Sequence, residues 1–195
     1  MQKLTIQKNM QEDLAFALDA LEGGNVILYP TDTVWGLGCD ATNPSAVERI
    51  SQIKRRPENK SMIILVSNFI MLQEYVEKVP FQAVDLMDEA ESPLTVIYPN
   101  AKNIAKNLLA ADGSIGIRIP NDEFCRTLIS DFGRPIVSTS ANYSGMPPSS
   151  NFSQIDSEII KAVDYTVKYR QDDHRQAQPS NIVKVNIDGS ITKIR

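Results

Sequence analysis

Apolar residues recur at helical spacing at Leu14, Ala17, Leu18 and Leu21, and Gly23-Gly24 closes that helix before the unbroken apolar run Val26-Ile27-Leu28-Tyr29. A helix therefore feeds a buried strand. Ser45 and Glu48 form a capping box at the head of a second helix, whose stripe is Ala46, Val47, Ile50 and Ile53 and which must end before Pro57. Met62-Ile63-Ile64-Leu65-Val66 reads as the next strand. The pattern continues with helical stretches near 68–78 and 80–90, a strand at 94–98, a helix at 102–110 and the strand Ser114 to Arg118. A helix at about 121–131 is closed by Gly133, and the strand Pro135 to Ser140 follows. A short helix near 156–162 and three strands near 164–168, 181–186 and 190–194 complete the chain. Helices and strands alternate early and hairpin-like strands gather late, which predicts an α/β protein with a mixed, twisted sheet and flanking helices. The Ser-, Pro-, Asn- and Gly-rich stretch 142–156 and the polar stretch 170–179 read as loops, so residues 1–195 are expected to form a single domain.

Three of the predicted strands turn polar at their C-terminal ends, where ligand sites of open α/β sheets lie. Side chains alternate faces along a strand, so Thr31 and Thr33 share a side if the chain stays extended after Tyr29. The same rule puts Ser138, Ser140 and Asn142 together, opposite Val137 and Thr139, and sets Ser114, Gly116 and Arg118 against Ile115 and Ile117. Hydroxyls, an amide and a guanidinium suit a ligand with carboxylate, amine, phosphate and ribose groups. Each strand also admits a plainer reading in which Thr and Ser make turns and caps.

Charge narrows the function classes. Twenty basic and 24 acidic side chains leave a net −4, the wrong balance for a chain built mainly to grip a polyanion. The cations that exist are concentrated in Lys54-Arg55-Arg56-Pro57-Glu58-Asn59-Lys60, either complementing a helix dipole or clamping a polyphosphate. Neither GxxxxGK[ST] nor GxGxxG occurs, so a nucleotide here would be held by side-chain cations and hydroxyls rather than a glycine cradle. His174, the only histidine, lies in a charged loop and reads as solvated; Cys39 reads as a small buried residue, and Trp35 as a pocket wall or core ring. Two distant cysteines, no metal-ligand spacing and no apolar run approaching the roughly 18 residues of a membrane span predict a cytoplasmic protein with no resident metal.

At these residues the chain resembles the YrdC-type family of threonylcarbamoyl-AMP synthases. YPTDTVWGLGCDA is similar to the family's YPTDTVYGLG, KRRP to KxRP, SPLTVIYP to PGPLTLVL, GIRIP to VRxP and STSANYSG to PSANxSG, with PSNIV and the terminal IR following in order. One such string is weak; the ordered set is highly specific. The end at Arg195 matches the short form of the family. The resemblance implies a YrdC-like fold with a large concave cleft, and conversion of L-threonine, bicarbonate and ATP to threonylcarbamoyl-adenylate and pyrophosphate. ATP would be a substrate accompanied by Mg2+, with no tightly bound cofactor. By position, Thr33, Arg118, Ser138 and Ser180 would contact threonine or its carbamoyl end, while Lys54, Arg56, Lys60, Ser114, Ser140, Asn142 and Arg195 would hold ATP, with Lys54 and Arg56 closest to the chemistry. Further partners implied are tRNA and a threonylcarbamoyl transferase that receives the product, and none is a membrane.

Two departures stand out. Pro148 replaces a nucleotide-binding Ser, with Ser149 adjacent, and RQDDHRQAQ replaces a Gly-rich loop, which would alter how the pocket is covered. Trp35 for Tyr, Ser61-Met62 for Pro-Leu and Ser92 for Gly read as packing changes. Two other readings remain open: an RNA-binding module without catalysis, gripping a phosphate backbone through Lys54 to Lys60, and a related carbamoyl-adenylate former using another amine or carbamoyl donor.

Overall fold

The computed structural model describes residues 2–56, 62–186 and 188–195. Helix α1 (Gln2–Glu22) leads into β1 (Ile27–Tyr29) and β2 (Gly36–Gly38), then α2 (Pro44–Ile53), β3 (Ile63–Leu65), α3 (Phe69–Tyr75), α4 (Phe81–Asp88) and β4 (Leu94–Tyr98). After a 3-10 turn at Lys106–Leu108 come β5 (Ile115–Arg118), α5 (Glu123–Phe132) and β6 (Ile136–Ser140). A second 3-10 turn (Phe152–Gln154), α6 (Ser157–Ala162), β7 (Tyr165–Thr166), β8 (Asn181–Val185) and β9 (Ile191–Lys193) follow. Among the described residues the strands form one mixed nine-stranded sheet in the order β7-β1-β2-β6-β3-β5-β4-β8-β9. The α/β class with a mixed sheet and flanking helices is as the periodicity predicted.

Three local expectations need correcting. Helix α2 is capped by Asn43, whose Oδ1 accepts from Ser45 N (3.0 Å) and Ala46 N (3.2 Å), so the predicted Ser45 capping box does not form. Pro44 has no N–H to lose and a preset φ, so it takes the first helical position and the cap falls two residues earlier, at Asn43. The helix expected at 102–110 contracts to the turn Lys106–Leu108, because Asn103 sits at φ 59° and the Ala105 N–H goes to Ala41 O (2.9 Å). Strand β2 was not predicted, since Gly-Leu-Gly carries no β-forming pattern.

Strand direction also changes the strand-end argument. β3 pairs parallel with β5 but antiparallel with β6, so β5 and β6 run in opposite senses and their C-terminal ends lie at opposite edges. The ladder sets Ser138, Ile63 and Gly116 level, and Ile136, Leu65 and Arg118 level. Ser140 is therefore level with Ser114, at the start of β5, rather than with Arg118 at its end. The alternation itself holds. On the opposite face Val137, Ile64 and Ile117 lie side by side in the buried core. Helix α5 adds Phe124, Cys125, Leu128 and Ile129 to that core, from an Asp122 cap to Gly133 in the left-handed conformation at φ 69°.

Candidate active site

The segment after β1 does not stay extended. Thr31 Oγ1 donates to Val34 O (2.9 Å) and accepts from Thr33 N (3.0 Å), folding residues 31–34 into a turn. Thr31 has spent its one hydroxyl proton, so the 2.9 Å contact between the two threonine hydroxyls is donated by Thr33. Thr33 Oγ1 in turn accepts from Arg118 Nη2 at 3.2 Å, giving one ordered chain from guanidinium to Val34 carbonyl. Arg118 is 2% exposed; its Nη1 is ion-paired with Asp32, whose other oxygen accepts from Asn121 N (3.0 Å), and its Nε has no hydrogen-bond partner. The sequence reading passed over Asp32, although it sits between two candidate threonines.

Beside Arg118, on β4, Thr95 Oγ1 lies 2.8 Å from Ser180 Oγ, and both residues are buried. Arg195 Nε and Nη2 donate to Ser180 O (3.1 and 2.8 Å) and tie the last residue to the start of β8. At the other end of β5, Ser114 donates its hydroxyl to Asp112 Oδ1 (2.5 Å), and Asp112 Oδ2 accepts from Lys184 Nζ (2.6 Å). These hydrogen bonds, Lys184's first, hold the Asp112 carboxyl well below the usual carboxylate range. A cleft of about 620 Å3 opens here, floored by Ile63, Ile97, Gly116 and Ile182 and edged by Asp112, Ser114 and Lys184. A Cβ on Gly116 would come within 2.9 Å of Ile63 Cγ2 and 3.2 Å of Thr95 Cγ2, so only glycine leaves this stretch of floor clear.

On the Ser114 side lies the β6 terminus. Ser138 is buried here, and the neighbouring Tyr29 phenol, which burial pushes well above its ordinary range, donates to Val137 O (3.3 Å). Lys54 is 1% exposed, and its ammonium donates to the carbonyls of Ser140 and of Asn142 (2.7 Å). Burial, with the Arg56 cation adding to it, pushes that ammonium down to about 7. Lys54 thus braces the end of β6, the segment that carries Ser140 and Asn142. Burial likewise lowers the Arg56 guanidinium. Asn142 Nδ2 donates to Tyr143 O (3.0 Å) and Met146 O (2.7 Å), leaving its buried Oδ1 without a partner.

A second cavity of about 380 Å3 is bounded by Thr31, Asp32, Thr33 and Trp35 on one side and by Arg170, Asp173 and Arg175 on the other. Trp35 is both core and wall, packing on Phe152 with ring centroids 4.9 Å apart. The polar stretch 170–179 is anchored across it. Arg170 pairs with Asp122 (2.7 Å) and donates to Thr31 O (3.1 Å), while Ala177 N donates to Ser150 O (3.3 Å).

The structure therefore brings Thr33 to Arg118, Ser180 to Arg195, and Lys54 to Ser140 and Asn142. Lys60 lies outside the described residues. Ser149 donates to Gln154 O (3.1 Å), a local bond within its own loop. His174 is exposed, and both cysteines are buried with thiols that burial pushes well up, as befits packing residues. Lys184 and Thr95 carried no sequence signal, because their partners Asp112 and Ser180 lie 72 and 85 residues away, and the sequence reading passed over Asp112 although it bonds Ser114 two residues on.

The Sua5–YciO–YrdC family profile, described as telomere recombination, matches residues 19–195. A threonylcarbamoyl-AMP synthase of Pseudoalteromonas translucida (strain TAC 125) is 38% identical over 160 residues, 80% of this chain and 86% of the relative. The chain belongs to the YrdC/Sua5 threonylcarbamoyl-AMP synthase family. The Escherichia coli K12 threonylcarbamoyl-AMP synthase is 33% identical over 147 residues, covering 73% of this chain and 77% of that protein. Among solved folds, E. coli YciO superposes with TM-score 0.81 at 25% identity over 95% of this chain and 89% of that one. P. abyssi Sua5 in complex with L-threonine gives TM-score 0.78 at 24% identity, a likeness of fold; this family member covers 50% of that longer chain. Within the described residues no helix is long and apolar enough to cross a membrane.

Proposed function

We propose that this protein is a single-domain L-threonylcarbamoyladenylate synthase, making threonylcarbamoyl-AMP and pyrophosphate from L-threonine, bicarbonate and ATP as the first step of tRNA threonylcarbamoyladenosine formation. The observation that carries the reading is the division of one sheet face. A guanidinium and hydroxyl set at Arg118, Thr33, Thr95 and Ser180 stands at one end of β5, and an apolar, serine-edged cleft at Ser114 stands at the other. An amino acid and a nucleotide lying end to end along β5 would use these two surfaces.

In this reading Arg118 holds the threonine carboxylate. Its five N–H donors exceed the two that Asp32 and Thr33 engage. Thr33, Ser138 and Ser180 fix the amine, carbamate and side-chain hydroxyl. The apolar cleft seats the nucleoside, with Ser114, Ser140 and Asn142 around it, Arg195, tied to Ser180, meets ATP from the Arg118 side, and Arg56 and Lys60 neutralise the phosphates. Magnesium enters as part of the nucleotide substrate. Bicarbonate breaks one C–O bond to give carbon dioxide and hydroxide, the neutral threonine amine bonds to the carbon dioxide carbon, and the amine proton combines with the hydroxide, so carbamate and water form. A carbamate oxygen then bonds to the α-phosphorus while the bond to the bridging oxygen of pyrophosphate breaks. No covalent enzyme intermediate is needed, so positioning and charge stabilisation supply the rate.

Pyrophosphate release with each substrate omitted in turn tests this. All three substrates should be obligatory, carbamoyl phosphate should not replace bicarbonate, and serine should be weak. Valine should be nearly inert, because a site that hydrogen-bonds a hydroxyl rejects an analogue lacking it by about 10⁴-fold. Equal release with valine, or without bicarbonate, would overturn the assignment.

A further inference from the structure

The corner that ends α2 is fastened to the loop that follows β6 by four contacts. Lys54 donates to Ser140 O and Asn142 O, and Ser144 N donates back to Lys54 O (2.9 Å). The fourth contact is made by Arg55, whose guanidinium carbon lies 4.4 Å from the centre of the Tyr143 ring. Arg55 reaches that ring because its own backbone turns left-handed at φ 49°, with its N–H held by Gln52 O (3.0 Å). A non-glycine residue in that region is uncommon and disfavoured, so the turn must be held by what surrounds it. Within the fastened segment Asn142 spends both amide protons on Tyr143 O and Met146 O, which leaves its buried Oδ1 without a partner.

We propose that Arg55 and Tyr143 are positioning residues for the nucleotide: their cation–π contact closes a clasp that fixes the 140–146 loop, and with it Ser140 Oγ and Asn142 Oδ1, before ATP arrives. Neither touches substrate. They fill the open positions of the KxRP and SANxSG segments, so the pair is a feature of this chain's own sequence. The inference rests on the synthase reading only for its kinetic arm, because the clasp itself exists in the protein without ligand.

Arg55→Met and Tyr143→Leu should each raise the KM for ATP by about 2- to 5-fold, the size of a half-exposed cation–π contact. The KM for threonine and the kcat at saturating ATP should stay unchanged. The double variant should be no worse than the worse single, Tyr143→Phe should behave as wild type, and Arg55→Lys should recover part of the loss. Hydrogen exchange of the Asn142, Ser144 and Met146 amides, measured without ligand, should quicken by a similar factor in both single variants. Unchanged exchange, or single-variant effects on KM that multiply in the double variant, would overturn the clasp. Equal shifts in every kinetic constant together with a lower Tm would reduce it to general stability. If wild type turned over no ATP, the synthase reading would fail while the exchange arm still decided whether the clasp exists.

Discussion

Replacing Lys54 by Met removes one ammonium from a site that is otherwise apolar in shape, and the structure sets opposing terms for it. Burial first and Arg56 second move the ammonium from 10.5 to about 7, which makes holding the charge in the fold cost on the order of 5 kcal/mol. Against that stand two charge-assisted hydrogen bonds to the Ser140 and Asn142 carbonyls, contributing about 1.5–3 kcal/mol each. These nearly cancel. Ser140 O keeps a second donor in Asn142 N (2.9 Å), so only Asn142 O loses its partner in the variant. Lys54→Met should therefore unfold within about 2 kcal/mol of wild type in urea, while its KM for ATP rises at least about 10-fold because the Ser140–Asn142 segment is no longer held. The pH dependence separates the roles. Between about 7 and 10.5 the unfolded chain keeps a proton that the folded one has lost, so wild-type stability should rise with pH across that window, and the Met variant should lack that increment. ATP affinity of wild type should move the other way, weakening as pH climbs through about 7 and the ammonium is neutralised. Urea melts and pyrophosphate-release titrations over that range test both trends. An unchanged KM for ATP in the variant, or a stability loss above about 4 kcal/mol, would refute the reasoning.

Two further outcomes follow from the same geometry. Arg56→Ala should reduce pyrophosphate release by about 10- to 100-fold, the equivalent of one lost charged hydrogen bond, whereas changes at Arg55 should stay within the few-fold range of a surface contact; equal losses would make the run a generic basic patch. Ser140→Ala should raise the ATP requirement while the ligand-free Tm stays near wild type, and a loss above about 2 kcal/mol in urea melts would mark the hydroxyl as structural.

Periodicity alone located the strands and helices that bury a continuous stripe, such as Leu14 to Leu21, Ile63 to Leu65 and Phe124 to Ile129. It missed β2, because Gly36 and Gly38 serve close packing rather than strand formation: a Cβ on Gly38 would come within 2.6 Å of the Tyr29 ring. It misplaced the α2 cap because Ser45 and Glu48 satisfy the capping-box pattern equally well, and only the proline between Asn43 and Ser45 decides the register. At the site, local polarity exposed Thr31, Thr33, Ser138 and Ser140. Nothing local showed that Asp32 pairs with Arg118 86 residues away, or that Lys54 crosses to the Ser140 carbonyl 86 residues away. Those contacts are created by strand order, which hydropathy does not encode.

Strand order also explains why the polar residues could look right for the wrong reason. The sequence argument placed them at strand C-termini, as in a parallel sheet, yet β6 opposes β3 and β5. Had all three run in parallel, Ser140 and Arg118 would crowd one edge, and both substrates would compete for it. The antiparallel entry of β6 instead carries Ser140 to the level of Ser114 and leaves Arg118 four residues further along β5. That displacement is about 13 Å at the rise of an extended strand. In the proposed reaction an amino acid anchored by its carboxylate at one end and a nucleoside seated at the other would then meet over Gly116 and Ile63, where glycine keeps the floor low. The reacting carbamate and α-phosphate would fall on that cleared stretch, within reach of the β6 end that Lys54 and Arg55 hold in place.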